Sequence, residues 1–270
     1  MMKARLFQVD AFASKAFEGN PAAVVPLEAF PDAAVMQAIA AENNLAETAF
    51  VVPLSAEEGS YHLRWFTPAV EVPLCGHATL ASAHVLFTHL GHSLPEIHFE
   101  TASGRLTVRR DGDKLAMDFP ADKIKPYMMH ESLPALLGGK PILVMKGKFL
   151  VCLFGSAAEV TALAPDMPAL KRFCNTQGGI SIICMAEGDA GTGIDFVSRM
   201  FAPAHGIDED PVTGSAHCSS VPYWAKKLGK ADLVARQISA RGGTLWCTDA
   251  GERVIMRGTC VDYLKGEIEF

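Results

Sequence analysis

Helical and strand-like stretches of hydrophobic and polar positions follow one another along the chain in an order that occurs twice. The first half carries an early helical stretch, "DAAVMQAIAAEN" at 32–43, and then the strand-like runs "ETAFVVPL" and "YHLRWF". A helix rich in small residues is predicted over 76–90, followed by the runs "EIHFETA", "RLTVRR" and "KLAMDF". The second half repeats the succession: "DMPALKRFC" at 166–174, the runs "GISIICMA" and "GIDFVSRMF", a small-residue helix over 214–228, and the runs "ARQISA", "TLWCTD" and "RVIMRG".

Residue identities repeat as well. Setting "RWFTPAVEVPLCGHATLASAH" (64–84) above "RMFAPAHGIDEDPVTGSAHCSS" (199–220) aligns Arg64 with Arg199, Phe66 with Phe201, Pro68 with Pro203 and Ala69 with Ala204, an offset of half the 270 residues. Each copy then passes through acid (Glu71; Asp208, Glu209, Asp210) and a proline (Pro73; Pro211) to the glycine that opens the small-residue helix (Gly76; Gly214). The short identity alone is weak, but the matching order of elements around it favours a duplication. The chain is therefore expected to be an α/β protein of two similar halves, residues 1–118 and 119–259. The boundary falls near "DFPADK" at 118–123, and residues 260–270 are a candidate to pack back onto the first half.

Composition narrows the class. Hydrophobic residues make up 49% of the chain and charged ones 20%, with 23 Gly and 16 Pro, which suits globular domains with many turns and not a disordered chain. A net charge of −6 leaves no basic footprint, so neither nucleic acid nor a membrane is an expected partner. No apolar run approaches the roughly 18 residues of a membrane span, and no signal peptide is read in "MMKARLFQVDAF". The 7 cysteines are an odd set without a C-x-x-C pair, so reduced thiols in a cytoplasmic protein are expected.

Candidate chemistry gathers at the two glycine–helix junctions. A glycine there lets another group approach the backbone, and first-turn N–H groups without an intrahelical partner suit a carboxylate or phosphate. Either junction alone reads as capping, as do the acids of "GIDEDPVTGSAH", because carboxylates are favoured before a helix. Paired in both halves, Gly76 and Gly214 become candidates to grip a small acidic molecule in a cleft between the halves. No P-loop or G-x-G-x-x-G pattern supports ATP or NAD, and no cofactor is expected.

Three ionisable groups stand out. Glu47, in "AENNLAETAFV", opens a strand-like run among apolar neighbours, where loss of water would raise its pKa into the range useful for acid–base work. His77 follows Gly76 at a helix N-terminus, where the dipole favours the neutral imidazole. Cys75 directly precedes Gly76 and His77. Zinc held by Cys75, His77, His217 and Cys218 would need unusual spacings, so no metal is expected. His217 and Cys218 are read as packing residues, and His205 is given no role.

The segments "FQVDAF", "FEGNPAAVV", "NNLAETAFV", "LCGHATLASAHVLF" and "GIDEDPVTGSAHCSSVPYW" resemble, in order and spacing, the signatures of the PhzF family of phenazine-biosynthesis-like proteins, related in fold to diaminopimelate epimerase. The resemblance implies an α/β (α+β) fold of two halves, each a curved, mostly antiparallel sheet around a central helix. It implies a cofactor-independent isomerase, commonly a homodimer, acting in the cleft on a small carboxylate-bearing metabolite by a double-bond shift or an epimerisation. In the family pattern Glu47 is the general acid/base, His77, Asp210 and Ser215 are its catalytic partners, and Asn20, Gly76 and Gly214 line the substrate site. Two-thiol racemases of related fold need a second cysteine where Thr213 stands, so a racemase using Cys75 is a weaker alternative. A protein that binds a small acid without chemistry is the other.

Overall fold

The computed structural model describes residues 2–270, and the chain divides into two compact units, Met1–Asp118 with Arg257–Phe270, and Phe119–Met256. The first unit contains β1 (Lys3–Ala11), β2 (Asn20–Pro26), α1 (Ala33–Asn43), β3 (Glu47–Ser55), β4 (Ser60–Phe66), β5 (Glu71–Val72), α2 (Gly76–His89), β6 (Glu96–Thr101), β7 (Gly104–Asp111) and most of β8 (Lys114–Pro120). The C-terminal strand, Cys260–Glu269, returns to pair antiparallel with β1. From β1 the sheet continues antiparallel to β2, parallel to β3, antiparallel to β4, parallel to β6 and antiparallel through β7 to β8. The two parallel steps are the ones bridged by helices, because parallel neighbours need a crossover connection.

Helix α2 is the centre of this unit. It touches the C-terminal strand, β1, β2, β3 and β7, which one helix can do only if the sheet curves around it. Its sequence permits that closeness: Ala78, Ala81, Ser82 and Ala83 are wholly buried and leave little side chain between helix and strands. A helix surrounded in this way must satisfy its own polar groups, and it does. The hydroxyls of Thr79 and Ser82 donate to the carbonyls of Cys75 (2.6 Å) and Ala78 (2.7 Å), one turn back. Helix α1 lies on β3 and β4 and closes a second core of Met36, Ile39, Phe50 and Phe66.

The second unit contains β9 (Lys125–Pro126), α3 (Leu133–Leu137), β10 (Leu143–Lys146), β11 (Leu150–Leu153), α4 (Ala157–Thr161), α5 (Met167–Thr176), β12 (Ile182–Glu187), β13 (Phe196–Ala202), β14 (Ile207–Asp210), α6 (Gly214–Leu228), β15 (Asp232–Gln237) and β16 (Gly243–Asp249). Strand β17 (Arg253–Gly258) carries the chain back to the first unit. Its sheet is again mixed: β11 is parallel to β12, β12 antiparallel to β13, and β13 parallel to β15, which pairs antiparallel with β16. Helix α6 packs on β15 and β16 and buries Trp224, whose ring stacks on Phe196 at 5.7 Å. Pro222 inside α6 cannot donate to the Cys218 carbonyl, and that carbonyl instead accepts the Asp122 N–H at 3.0 Å.

The duplication extends to strand register. Thr48 pairs with Phe66 and Phe66 with Glu71; in the second unit Ile182 pairs with Phe201 and Phe201 with Glu209. Arg64 clamps Glu71 through two bonds of 2.7 and 2.8 Å, and Arg199 clamps Glu209 at the same two distances. Each guanidinium also lies over the ring of the aligned phenylalanine, 5.3 Å from the centre of Phe66 and 4.9 Å from that of Phe201. The second clamp is the more enclosed, since Arg199 also donates to the Leu163 carbonyl at 2.7 Å. Glu209→Gln should therefore cost about 1–3 kcal/mol of stability, and Glu71→Gln distinctly less, because the Glu71 side chain is 40% exposed where that of Glu209 is 20%. Urea unfolding of the two variants measures this, and equal losses would count against the difference in burial.

Candidate functional site

Glu47 is the first residue of β3, and three local features fix it there. Helix α1 ends on Asn44 in the left-handed conformation, with its N–H bonded to the Ala40 carbonyl, so the chain turns sharply into β3. The Asn43 amide donates to the Thr48 hydroxyl at 3.0 Å, tying down the residue after Glu47. Glu47 also sits opposite Ala22 of β2, so the buried Asn20 at the start of β2 belongs to the same end of the sheet. Asn20 is reached through Gly19, which has φ +70 and no room for a Cβ against the Ala11 carbonyl.

His77 is the second residue of α2, and its Nε2 lies 3.0 Å from Glu47 Oε2. The side chains are only 7% and 12% exposed. The approach is that of an ion pair, off the line of a directed hydrogen bond, and both atoms are buried without another hydrogen-bond partner. Two such atoms side by side leave their best directions free for a third group. Cys75, the N-cap of α2, places its sulfur 3.5 Å from His77 Nδ1, and the carboxylate, thiol and imidazole ligand atoms lie within 4.8 Å of one another.

Burial opposes a charge on His77, but the Cys75 sulfur and the Glu47 carboxylate outweigh it and hold the imidazole well above the usual histidine range. The Cys75 thiol is itself pushed up to about 11, first by burial and then by Glu47. For His77 the direction differs from the expectation at the helix terminus: the dipole favours neutral imidazole, yet the sulfur and carboxylate beside it act the other way. The raised thiol weighs against Cys75 as a base, because the thiolate is the reactive form.

In the second unit Asp210 ends β14, and Gly214 and Ser215 begin α6, with Gly214 buried and Ser215 half-buried. The Thr213 hydroxyl donates to the Asp210 carboxylate. Gln237, not singled out from the sequence, is wholly buried and organises this turn. Its Oε1 accepts the Thr213 N–H at 2.8 Å, and its Nε2 donates to the Asp210 carbonyl at 2.6 Å. Ser239 adds a bond to the Pro211 carbonyl at 2.7 Å. A signal was present, since alternation along β15 puts Gln237 on the buried side with Leu233 and Ala235. Glu209 belongs to the Arg199 clamp, and Asp208 is exposed.

The repeated register shows what stands at each position in the two copies. Glu47, one before Thr48, corresponds to Ser181, one before Ile182; Cys75 corresponds to Thr213 and His77 to Ser215. Asp210, paired with Met200, stands where the first copy has Val72, paired with Trp65. The buried carboxylate, thiol and imidazole thus occur together in the first copy, and hydroxyls take their places in the second.

The PhzC-PhzF family model, described as phenazine biosynthesis-like protein, matches residues 9–266. An uncharacterized isomerase of Pseudomonas aeruginosa is 48% identical over 268 residues, covering 99% of each chain. The crystal structure of a PhzF-family phenazine biosynthesis protein from Enterococcus faecalis, 42% identical, has a TM-score of 0.93 and covers 100% of both chains. A probable proline racemase from Agrobacterium radiobacter, 13% identical, with a TM-score of 0.63 over 99% of this chain and 92% of its own, shares the fold alone.

A second histidine behaves oppositely to His77. His217 Nδ1 lies 2.8 Å from the Thr213 carbonyl, which only accepts, so Nδ1 carries the proton and the ring is neutral; burial holds its pKa down to about 4. The unfolded chain takes up this proton near pH 6.5, the folded one only near 4, so His217 costs stability as pH falls through that window. The loss is on the order of 3 kcal/mol and is complete below the folded value. His217→Asn should flatten this part of the stability profile, measured by urea unfolding at several pH values between 7 and 4. An unchanged slope would show that other groups carry it.

Proposed function

The chain belongs to the phenazine biosynthesis-like PhzC-PhzF family, and from that premise we propose that it is an isomerase moving a proton on a small carboxylate-bearing molecule, with Glu47 as the single acid and base. The observation that carries this reading is the inequality of the two copies. A two-base mechanism wants matched proton carriers in both halves, and Ser181, Thr213 and Ser215 replace Glu47, Cys75 and His77 in the second. One carboxylate that removes a proton from carbon and returns it elsewhere needs no such match.

His77 supports the same step. As a buried imidazolium beside Glu47 it offers a proton or hydrogen bond to the negative charge that develops when carbon is deprotonated, in surroundings where water competes little. On the family pattern, Asp210 and Ser215 are proposed as further catalytic partners, and Asn20, Gly76 and Gly214 as substrate contacts. First-turn N–H groups at a helix start suit a carboxylate, and Gln237 keeps the Asp210–Thr213 turn in shape.

Incubation with a panel of small unsaturated and α-substituted carboxylic acids in D₂O, followed by NMR, tests the proposal: deuterium should enter one carbon position of the true substrate. Glu47→Gln should reduce exchange and turnover by about 10²–10⁴-fold while ligand binding stays near wild type. Cys75→Ser should retain most activity. Wild-type turnover in Glu47→Gln would sink the assignment, and loss of exchange in Cys75→Ser with retention in Glu47→Gln would restore the thiol racemase.

A further inference from the structure

Away from Glu47, at the far end of α2, a second cluster of ligating side chains has no part in this chemistry. His84 and His89 both aim Nε2 at Asp262 of the C-terminal strand. His84 Nε2 lies 3.0 Å from Asp262 Oδ1, and His89 Nε2 lies 3.0 and 2.9 Å from Oδ1 and Oδ2. One donor atom from each residue falls within 4.8 Å of the other two. We propose that His84, His89 and Asp262 form a binding site for a divalent transition metal of the zinc type, which ties the end of α2 to the C-terminal strand.

Geometry is the first argument. A tetrahedral ion with bonds of about 2.0–2.1 Å separates its ligand atoms by roughly 3.3 Å, so these three side chains need little movement to admit one. Two imidazoles and a carboxylate are a donor set suited to zinc and its neighbours and not to calcium or magnesium, which prefer oxygen. The ligands are partly enclosed, with side chains 18%, 13% and 28% exposed for His84, His89 and Asp262. A cavity of about 250 Å³ borders the cluster at His84, with Phe87, Gly258, Thr259 and Cys260 among its lining.

The backbone supplies a second, independent argument. The C-terminal strand has a β-bulge at this point: Leu264 faces Gln8 and Asp262 faces Val9, leaving Tyr263 as an extra residue. Residues three apart in a regular strand face opposite sides, but the bulge puts Asp262 on the same side as Lys265, which faces Phe7. That is the side on which His89 stacks over the Phe7 ring, 5.1 Å between centres and 5° between planes. The bulge thus re-aims the carboxylate at the imidazoles, and the stack fixes the orientation of one of them.

Nearby cations bear on the proposal, among them Arg110 and Lys265, with Lys114 in the cavity lining and Arg5 over the Phe7 ring at 5.9 Å. Arg110 is committed elsewhere, over the Phe87 ring at 4.2 Å and to the Phe87 carbonyl at 3.2 Å. Lys265 shares Asp262 at 3.1 Å, but its side chain is 51% exposed and can turn into water when a metal arrives. Lys265 is therefore a competitor for the carboxylate. Ligands separated by 173 and 178 residues would make the ion a clip over a long loop, so binding should raise resistance to unfolding.

The test strips the full-length protein with a chelator and titrates it with Zn²⁺, following heat release and melting temperature, and with Co²⁺, following the visible spectrum. One equivalent should bind per chain, raise the melting temperature, and give a cobalt spectrum without a thiolate charge-transfer band. His84→Ala, His89→Gln and Asp262→Asn should each weaken binding by at least about tenfold, the scale that even an outer partner of a ligand commands. Lys265→Ala removes no ligand and should bind more tightly than wild type. Absence of binding by wild type, undiminished affinity in both histidine variants, or weaker binding by Lys265→Ala would each overturn the proposal. So would a thiolate band abolished by Cys75→Ser, which would place the ion at Glu47, Cys75 and His77 instead.

Discussion

The arrangement of the first half follows from surrounding one small-residue helix with sheet. Because Ala78, Ala81, Ser82 and Ala83 leave almost no side chain to fill, strands approach α2 from several directions, and its start is held at the end of the sheet where β3 begins. That constraint sets His77 against Glu47 and keeps water from both. A bulkier helix face would push the strands away and open this contact, since packed interiors transmit volume changes to their neighbours. Hydroxyls bonded one turn back are what allow polar residues on so crowded a helix.

The same scaffold, used twice, carries unequal chemistry. The arginine–glutamate clamps, the rings beneath them and the strand register agree between the copies, and those features hold backbone in place. Where the backbone is equivalent, the side chains diverge: carboxylate, thiol and imidazole on one side, hydroxyls on the other. Electrostatics reinforces the split. The Cys75 sulfur and the Glu47 carboxylate favour the protonated form of His77, while His217, buried without an acid beside it, stays neutral.

Much of this was legible in the chain. The small-residue helices expected over 76–90 and 214–228 are α2 and α6, and the helix expected over 32–43 is α1. Long elements with a consistent texture declare themselves, and the mixed α/β fold followed from their order. The short helices α3 and α4 and the strands β9, β10, β11 and β14, of two to five residues, are not read from the sequence, because segments so short carry too few positions for a periodic signal; β1, β2 and the C-terminal strand, of seven to ten residues, are missed as well, and length does not explain them. The helix position of His77 points to a neutral imidazole and misses two neighbours that act the other way: Cys75 beside it in the motif, and Glu47, which is 30 residues away in sequence. The Asp262 cluster is hidden for the same reason, since its partners come from distant segments and it depends on a bulge that no local pattern announces; for Gln237 the alternation along β15 marks a buried position, while its partners at Asp210 and Thr213 lie beyond any local pattern.

What unites the account is a buried Glu47 carboxylate that keeps a proton on His77. Histidine-selective ¹⁵N NMR over a pH titration reads this directly, by following the imidazole of His77 in the wild type and in Glu47→Gln. The wild-type ring should remain protonated well above the ordinary histidine range and lose that elevation when the carboxylate is replaced. A His77 ring that titrates at or below 6.5 in the wild type, or one indifferent to Glu47→Gln, would contradict the coupling on which the proposed chemistry rests.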